Sequence, residues 1–140
     1  MKKILIASDH SGYELKKIIT SMGYRVEDLG IQTEESVDYP DFAKKLSNKI
    51  VEEKARGVLI CGTGIGMSIV ANKTKGVRAA LCCDEYSARM SREHNDSNVL
   101  CLGARVISNG LAKSILEVWL EKDFSKDERH KRRVGKIEEN

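Results

Sequence analysis

The sequence predicts a three-layer α/β/α fold around a five-stranded parallel sheet, and two alternating patterns support this class. Short apolar runs rich in Val, Ile and Leu recur along the 140 residues. Between these runs lie longer stretches in which apolar residues return every three to four positions, separated by Lys and Glu. Strand alternating with helix in this manner is typical of a parallel sheet that is covered by helices on both faces.

Five segments have the apolar character of buried strands. They are Ile4–Ala7, Arg25–Leu29, Gly57–Cys61, Ala79–Cys83 and Val99–Leu102. The first run follows two lysines and resembles a weak signal peptide, but Asp9 and His10 end it early and no small-residue cleavage site follows. We therefore interpret it as the first strand of a cytoplasmic protein. No apolar run approaches the ~20 residues of a membrane span.

Five further segments have helical spacing: Tyr13–Met22, Asp41–Glu53, Ile65–Lys73, Glu85–Glu93 and Gly110–Leu120. Asp41 follows the only proline and is the expected N-cap of the second helix. Gly23 is expected to end the first helix, and Trp119 falls in an apolar stripe that indicates the core. No linker, repeat or low-complexity stretch divides the chain. Residues 1–140 are therefore predicted to form one domain with Rossmann-like architecture.

The predicted topology indicates where a ligand would bind. In open parallel sheets, ligands bind beyond the carboxyl ends of the strands. Polar and glycine residues collect after the predicted strands, in the segments Ser8-Asp9-His10, Gly30 onward, Cys61 to Gly66, Asp84 and Gly103-Ala104-Arg105. We also expect His94, after the fourth helix, to lie on this ligand-binding edge, as His10 does.

The segment Cys61-Gly62-Thr63-Gly64-Ile65-Gly66 joins a buried strand to a helix, and the free N–H groups at a helix start can bind an anion. It lacks the Gly-Lys-Ser/Thr ending of a P-loop, and its G-x-G-x-G spacing differs from the G-x-G-x-x-G dinucleotide fingerprint. A tight turn without a ligand is the alternative. Against this alternative stands the thiol at the loop's entrance, since a helix N-terminus favours the thiolate form of a nearby cysteine.

The four cysteines form no CxxC pair and have no zinc-like spacing. The default interpretation of such residues is a buried thiol that packs as a small hydrophobe. We apply this interpretation to Cys82, Cys83 and Cys101. Cys61 is the exception, because it stands where a base or nucleophile would face the loop's N–H donors.

The net charge is +3, and much of the excess positive charge lies near the C-terminus. Arg129 and Arg133 are four residues apart, so on a helical turn they share a face and could clamp a phosphate. A solvated basic terminus is the alternative. Aromatic residues make up only 5% of the chain, which leaves little to stack on nucleic-acid bases. A small phosphorylated ligand suits this modest charge better.

The chain resembles type B ribose-5-phosphate isomerases, a group related to the galactose-6-phosphate isomerase subunits. Six segments carry the resemblance, in order through nearly the whole chain: SDHSG at 8–12, DYPDFA at 38–43, ICGTGIGMSIVANK at 60–73, REHNDSNVL at 92–100, LGARV at 102–106 and RHKRRV at 129–134. The glycine-rich segment and the HNDSN segment are each specific to this group.

The resemblance implies roles for individual residues. Cys61 is expected to be the general base that moves a proton between C1 and C2 of the open-chain sugar, and His94 the acid that helps to open the furanose ring. Hydroxyl ligands would be Asp9 and Asn95. The N–H groups of Gly62, Thr63, Gly64, Ile65 and Gly66, with the Thr63 side chain, would hold the enediolate. Phosphate and sugar would be bound by His10, Arg105, Arg129 and Arg133.

The resemblance further implies a cytoplasmic aldose–ketose isomerase of pentose-phosphate metabolism that needs neither cofactor nor metal. The substrate would be a sugar phosphate, with no nucleic-acid or membrane partner. The expected assembly is a homodimer or a dimer of dimers with sites shared between subunits. One subgroup of the family has a glutamate base at the position of Met67, whereas this sequence has the cysteine. A six-carbon sugar phosphate as substrate and a non-catalytic sugar-phosphate sensor are the alternatives.

Overall fold

The computed structural model describes residues 2–139 and contains one five-stranded sheet. The strands are β1 Ile4–Ser8, β2 Val26–Asp28, β3 Arg56–Cys61, β4 Ala79–Leu81 and β5 Val99–Gly103. Every pairing is parallel, and the strand order is β2-β1-β3-β5-β4. The predicted fold class is therefore confirmed. All five strands occur where the apolar runs predicted them, although β2 and β4 are shorter.

The helices within the described residues are α1 Tyr13–Thr20, α2 Tyr39–Glu53, α3 Ile65–Ala71, α4 Glu85–Glu93, α5 Asn109–Glu121 and α6 Glu128–Glu138, with a short 3₁₀ turn at His10–Gly12. The sequence predicted the first five. For α6 it indicated only that two arginines would share a helical face. Val134 and Ile137 are the only apolar residues of α6, too few for the apolar periodicity that identified the other helices.

Alternate residues of the central strands enter two separate cores. Ile6, Ile60 and Leu102 pack on one face of the sheet with residues of α1 and α5, and Trp119 is completely buried there. The opposite face packs against α2 and α3. This arrangement is the three-layer packing that strands buried on both faces require. No helix within residues 2–139 is long and apolar enough to cross a membrane.

Two local predictions are wrong. Asp41 is not the N-cap of α2, because the helix begins at Tyr39 and its N-cap residue is Asp38. Pro40 lies inside the first turn, where its missing N–H costs no helical hydrogen bond. Cys83 is not in the core but exposed, because β4 ends at Leu81 and the chain turns outward after Cys82. Cys82 and Cys101 are buried, as predicted.

Candidate active site

The carboxyl ends of β1, β3 and β5 bring together a group of polar residues that we name the carboxyl-edge cluster. Its members are Asp9, His10, the loop Cys61 to Gly66, and Arg105. The register places Cys61 beside Gly103, so the segment after β5 lies against the loop after β3. The Arg105 N–H donates to the Gly62 carbonyl at 2.9 Å. The prediction that these segments meet at one edge is confirmed.

The Cys61 thiol lies at the entrance of the glycine loop and is almost fully buried. The Gly64 N–H donates to its Sγ at 3.1 Å. Gly64 has φ +79, a left-handed conformation that disfavours side chains, and a Cβ there would lie 2.5 Å from a Leu81 methyl. A glycine at residue 64 therefore permits the turn that delivers this N–H to the sulfur.

Three N–H groups of the loop are open to a ligand. The Ile65 N–H donates to Thr63 Oγ1 at 3.2 Å, and that of Gly64 to Cys61. Within the described chain, the N–H groups of Gly62, Thr63 and Gly66 make no hydrogen bond. The loop thus presents donors beside a thiol, which is the arrangement that stabilises a developing oxyanion.

Asp9 and His10 follow β1 directly and flank the loop. Asp9 is buried, and its Oδ1 accepts hydrogen bonds from the N–H groups of Ser11 (2.9 Å) and Gly12 (3.2 Å). His10 Nδ1 accepts a hydrogen bond from the Val37 N–H at 3.3 Å. Accepting at Nδ1 leaves the proton of the neutral ring on Nε2, so His10 can donate to an anion.

Tyr39 is part of this edge, although no role was predicted for it. Its ring lies across Gly66, where a Cβ would come within 2.5 Å of Tyr39 Cζ. The glycine therefore makes room for the aromatic ring. Tyr39 is 37% exposed, so it lies at the surface of this edge. Tyr39 and Gly66 are distant in the chain, so no local pattern indicates their contact. The only signal in the sequence is that Tyr39 belongs to the DYPDFA segment.

The remaining predicted site residues form a second group together with His130, which was not predicted. We name this group the amino-edge cluster, and it consists of His94, Asn95, Arg129, His130 and Arg133. His94 caps the end of α4, and Asn98, four residues later, accepts a hydrogen bond from the N–H of Gly57 near the start of β3. The prediction that His94 lies on the same edge as His10 is therefore wrong for a single chain. A segment that leads into a parallel strand lies at the strand's amino end, whereas Cys61 lies at the carboxyl end.

A buried polar network fixes the turn that carries His94 and Asn95. Arg92 donates to the Ser97 carbonyl and, at 3.1 Å, to an Asp96 carboxylate oxygen. The Ser97 hydroxyl in turn accepts from Trp119 Nε1 at 2.8 Å and pairs with Ser91 Oγ. These buried hydrogen bonds fix the backbone of the turn, while His94 and Asn95 are exposed to solvent.

Neither Met67 nor the other two buried thiols can replace Cys61 as a base. Met67, where the sequence resemblance implies a glutamate base in one subgroup, is a fully buried thioether. Burial raises the pKa of the Cys82 thiol to about 11, and that of Cys101 is raised further by burial. Both therefore remain protonated at neutral pH. Among residues 2–139, no cluster of His, Cys, Asp and Glu has the arrangement of a metal site.

Comparison with known proteins gives the family. The model of the Ribose/Galactose Isomerase family matches residues 4–137, nearly the whole chain. The chain belongs to the ribose/galactose isomerase family. This membership agrees with the resemblance that the sequence segments carry.

Individual members of the family are similar over their full length. The ribose-5-phosphate isomerase B of Escherichia coli is 44% identical, covering 98% of this chain and 95% of its own. The structure of Clostridium thermocellum ribose-5-phosphate isomerase B superposes with a TM-score of 0.94 at 51% identity, covering 97% and 95% of the two chains. The structure of Mycoplasma genitalium ribose-5-phosphate isomerase B with bound ribulose-5-phosphate superposes with a TM-score of 0.90 at 40% identity. The match covers 97% of this chain and 93% of the other.

Proposed function

We propose that the protein interconverts D-ribose 5-phosphate and D-ribulose 5-phosphate through an enediolate, with Cys61 as the base. The observation that carries this proposal is the contact between Cys61 Sγ and the Gly64 N–H, set among open N–H donors. A proton abstraction next to a carbonyl needs a base and a site for the developing negative charge. The loop supplies both within one turn. The relative with bound ribulose-5-phosphate supports the choice of substrate.

In the proposed reaction, His94 first donates a proton to the ring oxygen as the bond between that oxygen and C1 breaks. The C1 hydroxyl gives its proton to water, which leaves the open-chain aldehyde. The Cys61 thiolate then removes the C2 proton. The electrons of the C2–H bond form a C1–C2 double bond, and the negative charge passes to the C1 oxygen beside the loop's N–H groups.

The second half of the reaction returns the proton to the neighbouring carbon. A proton moves from the C2 oxygen to the C1 oxygen, and the Cys61 thiol delivers its proton to C1, which yields the ketone at C2. Asp9 Oδ1 is occupied by two backbone N–H groups, so we assign its other carboxylate oxygen, with Asn95, to the sugar hydroxyls. The phosphate would be bound by His10, Arg105, Arg129 and Arg133.

We further propose that the complete site forms between two copies of the chain. Within one chain, the two clusters lie at opposite ends of the paired strands β3 and β5. From Gly57 to Cys61 the strand rises by four residue steps, which is about 13 Å at ~3.3 Å per residue. This separation exceeds what a five-carbon substrate can bridge while its C1 and C2 face Cys61. In a two-fold dimer, the amino-edge cluster of one copy can meet the carboxyl-edge cluster of the other at two equivalent sites.

A coupled assay tests the proposed reaction. The purified protein should convert ribose 5-phosphate faster than allose 6-phosphate or galactose 6-phosphate. The description of the family includes galactose, so the six-carbon substrate is the second candidate. Preference for a six-carbon phosphate would move the assignment to that substrate. Absence of both turnover and deuterium exchange at C2 would favour a non-catalytic sensor instead.

A further inference from the structure

The two parts of the amino-edge cluster come from segments that are far apart in the chain. His94 ends α4, whereas Arg129 and Arg133 lie in α6, which begins after the extended segment 122–127. The far end of α6 is tied to the body by an ion pair of 2.7 Å between Arg78 and Glu138. The N-terminal half of α6 carries Arg129 and Arg133. It needs a separate contact with the end of α4 to keep these arginines at a fixed position relative to His94.

Ser125 supplies one attachment through both its main chain and its side chain. Its N–H donates to the Glu93 carbonyl at 3.0 Å, directly beside His94. Its hydroxyl lies 2.7 Å from His130 Nδ1 and accepts from the Asp127 N–H at 3.2 Å. Asp127 is the N-cap of α6. One serine thus joins the last turn of α4 to the first turn of α6.

His130 supplies the second attachment, because its ring packs against that of His94. The ring centroids are 4.2 Å apart with an interplanar angle of 33°. His130 is only 7% exposed, whereas His94 faces solvent. Burial, with the nearby His94 and Arg129, lowers the pKa of His130. A neutral His130 can pack behind His94 without opposing a proton on that ring.

We propose that Ser125 and His130 form a latch that holds the proposed ring-opening acid and the phosphate-binding arginines in one fixed arrangement. The two residues do not touch substrate in this proposal and are positioning residues. The latch rests on the proposed function, since it assigns roles to His94, Arg129 and Arg133. It predicts that breaking the Ser125–His130 hydrogen bond disturbs the acid and the arginines together.

Two substitutions break this bond from its two sides. Ser125→Ala removes the hydroxyl but keeps the N–H contact with Glu93, and His130→Phe keeps a ring against His94 but removes Nδ1. Each should lower kcat and raise KM for ribose 5-phosphate, with kcat/KM falling roughly tenfold to a hundredfold from misplacement. The double variant should be no worse than either single variant, because both remove the same interaction.

Ser108→Ala is the matched control. Ser108 also caps a helix by accepting from a backbone N–H, but it lies at the start of α5. This variant should keep wild-type kcat and KM. The latch is overturned if Ser125→Ala is folded by circular dichroism and has wild-type kcat and KM. It is also overturned if the losses of the two single variants add fully in the double variant.

An NMR measurement separates failure of the latch from failure of the proposed function. The Cε1–H resonance of His94 senses the ring current of His130 and needs no substrate. Ser125→Ala should shift this resonance, and Ser108→Ala should not. If the wild type lacks isomerase activity but the shift occurs, the function is wrong and the latch stands. An unchanged resonance in Ser125→Ala overturns the latch whatever the activity.

Discussion

Cys61 and His94 lie at opposite ends of the neighbouring strands β3 and β5. Cys61 is the last residue of β3 and pairs with Gly103, the last of β5, whereas the His94 turn meets the start of β3 through the Asn98 carbonyl. The proposed base and acid cannot act together on one small substrate from these positions in one chain. Dimerisation is the simplest arrangement that brings both to the same sugar.

Mixed dimers of two inactive variants test this arrangement. Cys61→Ala disables the carboxyl-edge cluster and His94→Gln the amino-edge cluster. In a mixed dimer, one shared site carries both substitutions and the other carries neither. Random pairing of co-expressed chains should therefore restore roughly a quarter of wild-type activity.

A second pair of variants controls for unspecific rescue in this experiment. Cys61→Ala and Asp9→Asn both lie in the carboxyl-edge cluster, so each site of their mixed dimer retains one defect. This mixture should show no activity beyond that of its separate components. If both mixtures stay inactive although mixed dimers are isolated, the shared site is wrong.

Deuterium exchange isolates the step assigned to Cys61. Ribulose 5-phosphate cannot close a furanose ring, because its O5 carries the phosphate, so exchange at its C1 requires proton abstraction but no ring opening. Cys61→Ala should lose this exchange together with turnover, by about 10³-fold, the usual range for a general base. His94→Gln should keep most of the exchange.

The exposed Cys83 provides the control for loss of a thiol. Cys83→Ala should exchange and isomerise as the wild type does. Substantial exchange in Cys61→Ala, measured by NMR in D₂O, would remove the thiol from the role of base. Equal loss of exchange in His94→Gln would mean that His94 takes part in proton abstraction rather than in ring opening.

The phosphate assignment is tested at Arg133. Its proposed partner is the non-reacting end of the substrate, so Arg133→Ala should act on affinity. A charge-assisted hydrogen bond contributes about 1.5–3 kcal/mol, so KM should rise roughly ten- to a hundredfold with little change in kcat. Arg132→Ala removes the same charge one residue away and should leave KM nearly unchanged. A fall in kcat at constant KM would contradict the assignment.

The sequence predicted the sheet because buried parallel strands leave continuous apolar runs, and it predicted the carboxyl-edge cluster because residues that follow such strands share one edge. The prediction for His94 is wrong for a related reason. His94 precedes β5 rather than following a strand, which places it at the amino edge.

Other features of the site depend on contacts that no local pattern reveals. Tyr39 reaches Gly66 only because α2 and α3 pack side by side. Ser125 lies in a segment without helical or strand periodicity. Its hydrogen bonds with Glu93 and His130 form because the chain places the start of α6 beside the end of α4. Such contacts are set by tertiary packing, so only the structure could identify them.

A last prediction concerns stability and pH at Glu27 in β2. Its carboxylate contacts Lys3 at 2.8 Å and Lys49 at 2.5 Å, and these hydrogen bonds, Lys3 foremost, lower the pKa of Glu27 to about 2. A carboxyl whose pKa is lowered by folding stabilises the fold above its unfolded pKa of about 4.3, and this contribution is lost as pH falls towards 2. Glu27→Gln should therefore lower the Tm at pH 7.

Thermal melts of wild type and Glu27→Gln between pH 7 and pH 2 check this expectation. The difference in Tm should be constant above about pH 5 and shrink through the interval between the two pKa values. Added salt should also reduce it, because these charges are partly exposed and screened. Glu52→Gln, on an exposed position of α2, controls for the charge and should change Tm little. A Tm difference between wild type and Glu27→Gln that persists unchanged at pH 2 would show that the ion pairs are not its source.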